Sequence, residues 1–403
     1  MLQKHFNHPK TRDGLWQLPK DWEWKYLEEV AIIHDGSRKP VKKGERVPGL
    51  IPYCGANGVI DSVAGWTHEG DFVLLAEDGG LYGSGEASAY RMNGKFWANN
   101  HVHILRGLDN VLDNDWLLYA LNILNLKSFL TGTTRPKLTQ AAMRKVLLPV
   151  PSSLDIQLHI ISRIESLLAE VKESRNLLNL MYRDTKQVIN AALDEVFKTV
   201  VVERASAQLA SQILHITSGS RNWSQYSSPS NNGALFIRAG NVGFACIDLS
   251  EIERLSLPPN IDQKRARVNS GDVLVTITGA KVGHCCVVPD KLERAYVNQH
   301  VALIRLREKL EPRYLMWFIL SPSGGIPQIS AMQYGQTKPG LNLTNLRNLS
   351  IPIPGKSEQY QIISYLDSIQ LEVDKMLKLL AQDTKSLAQL EQSILERAFR
   401  GEL

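Results

Sequence analysis

His101 and His103 stand two positions apart in a strand-like run, so they would point to one face of it, a spacing at which two ring nitrogens could share a metal ion. With no third ligand close by, structural histidines are the ordinary reading. The run Glu77-Asp78-Gly79-Gly80-Leu81-Tyr82-Gly83-Ser84-Gly85 frees backbone amides for close approach to a ligand, but it also describes any wide turn. Beyond these the chemistry thins out. The sequence has no GxxxxGK[ST] to cradle phosphates, no GxSxG elbow, and no Asn/Asp-Pro-Pro-aromatic tetrapeptide of the kind used to methylate a base amine. Glu23-Trp24-Lys25 and Glu170-Val171-Lys172 resemble the end of an acidic nuclease motif but lack a suitably placed aspartate, and read as solvated charge. The four cysteines, Cys54, Cys246, Cys285 and Cys286, show neither CxxC spacing nor a disulfide framework, and read as reduced cytosolic thiols. These residues predict a chain that binds and does not catalyse, with no metal site.

The elements that must carry such a binding surface come next. A chain of 403 residues is too long for one ordinary core and long enough for two domains plus helices. No run of about twenty apolar residues could span a bilayer, and the expected location is cytoplasmic. A net charge of +5 permits a polyanionic partner without requiring one. Residues 18–30 read as a short opening helix, 35–44 as a basic loop, 50–63 as a hairpin and 71–76 as a strand. Residues 95–105 read as one further strand-like run, 116–130 as an apolar helix, and 132–138 as the polar loop after it.

The pattern then begins again. Residues 209–216 repeat the opening helix, 218–232 form a long polar loop, and Gly271-Asp272-Val273-Leu274 answers Gly70-Asp71-Phe72-Val73. Asn298-Gln299-His300-Val301 answers Asn99-Asn100-His101-Val102, and residues 334–341 answer the loop around Arg135. Each half ends in a strand with a Pro-x-Pro break, Pro149-Val150-Pro151 and Pro352-Ile353-Pro354, after which a long helix can start. In the second helix Ile362, Ile369, Met376 and Leu390 form one heptad row, and Leu366, Val373, Leu380, Leu387 and Ile394 the other. In the first the same frame falls on Ile160, Leu167, Met181 and Val188, and on Ile164, Val171 and Leu178. The predicted domains are therefore 1–151, a helix over 152–199, 200–354, and a second helix over 355–403. Copies of this length are domains and not solenoid units.

Taken together, the two proline breaks, the helices beginning near Gln157 and Glu358-Gln359, and the terminus Ile394-Leu395-Glu396-Arg397-Ala398-Phe399-Arg400-Gly401-Glu402-Leu403 resemble the specificity subunits of type I restriction-modification enzymes. The openings GANGVID and FIRAGNV look like those of target-recognition domains in that family, and Ile156 departs from the glutamate often found before Gln157. The resemblance implies an α+β fold: two globular α/β target-recognition domains separated by a pair of long antiparallel coiled-coil helices, related as a pseudo-twofold internal repeat. It implies a non-catalytic DNA-binding subunit that reads a bipartite, asymmetric double-stranded target, one half-site per domain. Two modification (methyltransferase) subunits and restriction (translocase/endonuclease) subunits are the implied partners. No cofactor is expected in this chain; S-adenosylmethionine, ATP and Mg belong to the partners.

About forty helical residues at 1.5 Å each would make the helix pair a spacer of roughly 60 Å at most. Candidate DNA contacts are Arg38, Lys39, Lys42, Tyr82, Arg135 and Lys137 in the first domain, and Arg221, Trp223, Arg238, Lys281 and Lys338 in the second. A different class of function, a structural coiled-coil scaffold with protein-binding globular ends, would show no sequence-dependent DNA affinity.

Overall fold

The computed structural model describes residues 16–403 apart from 133, 135, 229–232, 259–263 and 336–338. The chain divides into two compact units, Met1–Leu178 with Gln382–Leu403, and Asn179–Ala381.

In the first unit β1 (Trp22–Tyr26) leads through a one-turn α1 (Leu27–Val30) into β2 (Ala31–Ile33). Then follow β3 (Pro48–Gly55), β4 (Gly58–Val63), β5 (His68–Ala76), β6 (Ala89–Ala98) and β7 (Val102–Gly107). These make a sheet ordered β2-β7-β5-β6-β3-β4, antiparallel except for the parallel pair β3 and β6. Helix α2 (Asn114–Ile123) starts where the Asp113 carboxylate accepts from the amides of Asp115 and Trp116, satisfying donors that the first helical turn would otherwise leave free. α3 (Gln140–Met143) and β8 (Leu147–Pro151) lead to α4 (Leu154–Glu203).

Of the expected opening helix over 18–30 only Leu27–Val30 is helical, and Trp22–Tyr26 is a strand. β1 pairs antiparallel with β8, Trp22 opposite Pro151 and Tyr26 opposite Leu147, so a distant proline-rich segment overrides the local pattern. Residues 95–105 are two strands because the Asn99 side chain accepts from the His101 amide and turns the chain between β6 and β7.

The second unit rebuilds this plan with mostly shorter strands, divided between the sheets β10-β16-β13-β14 and β12-β11-β15: β9 (Ser206–Gln208), β10 (Ile213–Ser218), β11 (Ala234–Ile237), β12 (Glu253–Leu255), β13 (Val273–Thr276), β14 (Cys285–Val287), β15 (Ala295–Val297) and β16 (Val301–Leu306). Its second opening segment is likewise not an α-helix: residues 209–212 make one 3-10 turn and β10 follows. α5 (Pro312–Ile319), α6 (Gly325–Met332), α7 (Leu343–Arg347) and β17 (Ser350–Pro352) precede α8 (Lys356–Ala398). β11 and β15 are parallel, as β3 and β6 are, and β9 pairs with β17 as β1 does with β8.

The repetition extends to single hydrogen bonds. Gln157 and Gln359 are fully buried at the starts of α4 and α8. In the first unit Gln157 accepts from the Asp113 amide (2.9 Å) and donates to the Val111 carbonyl (2.9 Å). In the second, Gln359 accepts from the Glu311 amide (2.8 Å) and donates to the Lys309 carbonyl (3.1 Å). Trp116 donates to the Pro149 carbonyl where Tyr314 donates to that of Pro352. Each glutamine ties a long helix to the start of an earlier one, α2 in the first unit and α5 in the second.

Each unit contains an antiparallel pair of helix segments. In the first, Ile160, Ile161 and Ile164 share a core with Ala398, Phe399 and Trp116, and Arg175 pairs with Glu391 at 2.5 Å. In the second, Ile189 and Leu193 share a core with Leu366 and Val373, and Arg204 pairs with Glu358 at 3.2 Å. Of the heptad residues, Ile160, Ile164, Val171, Leu366, Val373, Leu380 and Ile394 are buried; Leu167, Leu178, Ile362, Ile369 and Leu387 are half-buried. Met181, Val188, Met376 and Leu390 are exposed. The buried stripe is therefore narrower than the two rows of the sequence pattern, because a lone helix pair covers a thin strip of each partner.

Candidate nucleic-acid interface

In the first unit, loops from distant parts of the chain meet at the ends of β5 and β6. The Glu77 amide donates to the His101 carbonyl (2.9 Å), the Leu138 amide to the Glu77 carbonyl (2.7 Å), and the Asn57 side chain to the Gly79 carbonyl (2.9 Å). Asp78 bridges to Lys137. The turn after β5, the turn between β6 and β7, the tip of the β3–β4 hairpin and the loop before α3 are thus held as one surface. Gly79 sits at φ +68°, a conformation open to glycine at little cost, which permits the tight turn.

The second unit assembles the same set. The Ile277 amide donates to the His300 carbonyl (2.9 Å), the Leu341 amide to the Ile277 carbonyl (2.8 Å), and Thr278 bridges to Gly340. Lys281 reaches across to the Gly240 carbonyl at 2.8 Å, doing with an ammonium what Asn57 does with an amide. Ser220 bridges to Asn298, which brings the loop bearing Arg221 beside the others.

Beneath the first surface lies an ionic cluster. Buried Asp35 accepts from His103 Nδ1 (2.6 Å) and from the Ile104 amide (2.9 Å) and pairs with Arg38 (3.2 Å). Glu77 holds Arg38 and, at 2.6 Å, Lys137. Burial pushes the Asp35 carboxyl up, but the His103 bond and charge, the Ile104 amide and Arg38 outweigh it and leave the group below its usual range. Burial likewise raises Glu77, and Lys137 and Arg38 more than reverse it. His103 Nε2 faces the Leu138 carbonyl at 2.8 Å, so both ring nitrogens have acceptors within the protein. At the corresponding places the second unit has Ile277 and Ala302, both buried and apolar.

The candidates from the sequence scatter in this frame. Lys137 and Lys281 lie on the assembled surfaces, each with one internal partner, and Arg221 is exposed on the loop beside the second. Lys39 and Lys42 are exposed on the loop before β3. Arg238 is exposed and pairs with Glu253 at 2.8 Å. Arg38 is engaged from within, bonding Glu77 and the Val102 carbonyl. Tyr82 is 5 % exposed, donates to the Ala76 carbonyl, and burial raises its hydroxyl to about 12. Trp223 is also 5 % exposed and packs edge-on against Tyr296 at 5.5 Å. Tyr82 and Trp223 are core residues that happen to lie in loops. Arg135 and Lys338 fall outside the described residues. The sequence reading missed Asn57 as a loop tie, and gave His101 no part in the surface. The repeat of Asn99-Asn100-His101 as Asn298-Gln299-His300 was the signal that could have marked that turn.

Residues 19–179 and 254–382 match a profile described as the type I restriction modification DNA specificity domain. A Haemophilus influenzae protein named as a type I restriction enzyme specificity subunit is 32% identical over 367 residues, covering 86% of this chain and 87% of that protein. Among solved structures, a chain from a study of complex assembly and conformational transition in the type I R-M system superposes with a TM-score of 0.72 at 23% identity, covering 96% of this chain and all (100%) of the other. The HsdS subunit from Thermoanaerobacter tengcongensis gives 0.54 at 20% identity, with 98% and 100% covered. At these identities the two structures speak to the fold.

Proposed function

Because this chain belongs to the type I restriction-modification DNA specificity family, a family of DNA sequence recognition, we propose that it reads a bipartite, asymmetric double-stranded DNA target, one half-site per unit, and catalyses nothing itself. The observation that carries this reading is the doubled loop surface: one main-chain frame occurs twice, furnished with Asn57, Asp78 and Lys137 in one unit and Gly240, Thr278 and Lys281 in the other. Two like frames with unlike side chains suit two unlike half-sites, since base edges are read by side chains while backbone contacts carry no sequence information. Lysines and arginines around each surface supply phosphate contacts and, where they reach the groove from the loops, base contacts; Lys39, Lys42, Lys137, Arg221, Arg238 and Lys281 among them are exposed or half-exposed.

Two modification subunits and restriction subunits are the partners in this reading, and S-adenosylmethionine, ATP and Mg are theirs. Methylation mapping of DNA from cells carrying this gene with its neighbours tests the proposal, with Arg221→Ala and Lys281→Ala combined as the perturbation. The wild type is expected to mark a two-part motif, and the double variant to weaken or relax one part. A continuous motif, or equal change in both parts, overturns it.

A further inference from the structure

On the first unit's loop surface His101 is held in a fixed orientation. Its Nδ1 lies 2.7 Å from an Asp78 carboxylate oxygen, its own amide is held by Asn99 at 2.8 Å, and its carbonyl accepts from Glu77. The Asp78 side chain is 11% exposed and that of His101 38%, so a sheltered carboxylate holds a ring that reaches solvent. A carboxylate accepts, so in the neutral ring the proton sits on Nδ1 and Nε2 carries the lone pair. No described residue takes a hydrogen bond from or gives one to that Nε2.

We propose that His101 is a base-reading residue of the first unit, presenting Nε2 as an acceptor to the exocyclic amine of an adenine or cytosine in the major groove, with Asp78 as its positioning residue. In that groove only adenine N6 and cytosine N4 offer such a donor, whereas guanine and thymine present acceptors to the same place. The second unit is dressed differently at the matching turn. Thr278 stands where the first has Asp78, and His300 Nε2 lies 3.2 Å from the Gln299 amide nitrogen. The same backbone turn therefore offers different polar edges in the two units, which is what unlike half-sites require. This inference rests on the proposed one-unit, one-half-site reading.

The test is methylation mapping in cells that carry the chain with its modification subunits, for the wild type, His101→Ala, His101→Gln and Asp78→Asn, with thermal melts to establish folding. His101→Ala is expected to reduce discrimination about tenfold at one adenine- or cytosine-specified position of one half-site, the loss of a single hydrogen bond, leaving the other half-site and the spacer as they were. Asp78→Asn should relax the same position, because its amide can donate to Nδ1 and invert the ring's polarity. A folded His101→Ala chain with an unchanged motif, or with all methylation lost, overturns the assignment. If that variant does not fold, His101→Gln decides: relaxation at one position supports the assignment and an unchanged motif overturns it. Changes in both half-sites count against the reading of one half-site per unit, and so separate failure of that premise from failure of His101.

Discussion

Replacing Gln359 probes the joint between α8 and the second unit's core. Its side chain is fully buried, accepting from the Glu311 amide (2.8 Å) and donating to the carbonyls of Lys309 (3.1 Å) and Pro354 (2.9 Å). Gln359→Ala orphans all three groups. Lys309 is exposed, so water can reach its carbonyl, whereas Pro354 is buried and Glu311 half-buried. Two poorly solvated groups at ~1–3 kcal/mol each give an expected cost of about 3 kcal/mol. Gln359→Glu is the sharper variant. It keeps the acceptor for Glu311 but sets a carboxylate against two carbonyls, and the helix N-terminus returns only ~0.3–1 kcal/mol for a negative charge there. At pH 8 it should therefore be no more stable than Gln359→Ala. The repelled carboxyl has a raised folded pKa, so stability returns as the pH falls and protonation lets it donate to Pro354, and is lost again as the pH rises. Urea unfolding, with hydrogen exchange read over residues 309–319, measures both effects. A Gln359→Glu chain as stable as wild type at pH 8 would refute the claim that the amide's donor half holds this joint.

Two further expectations concern the helix pair and the ionic cluster. Leu366→Ala, at a fully buried position, should cost about 2–5 kcal/mol, whereas Met376→Ala, 43% exposed, should stay within about 0.5 kcal/mol; equal losses in urea titrations would mean that the seam is as wide as the heptads suggest. Asp35 and Glu77 both titrate below their usual range, so their contribution is present above the unfolded carboxylate range and is lost as the pH falls through the lower folded values. Below about pH 4 the Glu77 and Leu138 amides should lose exchange protection before those of Ile277 and Leu341, where Ile277 and Ala302 stand in place of Glu77 and His103; simultaneous loss would contradict this.

Much of the fold was legible because the sequence states it twice. The proline breaks, the long helices and the paired Asn-x-His turns lie in register in the two halves, and a repeated irregularity is hard to produce by chance. β1 was not legible, since Trp22, Tyr26, Leu27 and Val30 fit a helical face and only pairing with β8, more than a hundred residues away, makes 22–26 a strand. The candidate site was half legible. Charge and loop position brought out Lys137 and Lys281, but neither property records whether a side chain folds outward. Tyr82 and Trp223 turn in to fill apolar space, and Arg38 is drawn under by Glu77. His101 was passed over as structural because sequence alone cannot see the Asp78 carboxylate beside it.

The ties that fix the loops to one another run largely through peptide groups, Glu77 to His101, Leu138 to Glu77, Ile277 to His300 and Leu341 to Ile277. A substitution at an outward side chain leaves those peptide bonds to their partners, and surface changes of that kind typically alter stability by under about 0.5 kcal/mol. Preference at a loop position could therefore drift one residue at a time across generations without the chain first passing through an unfolded ancestor. Gly79, at φ +68°, has no such latitude and should stay glycine while its neighbours change.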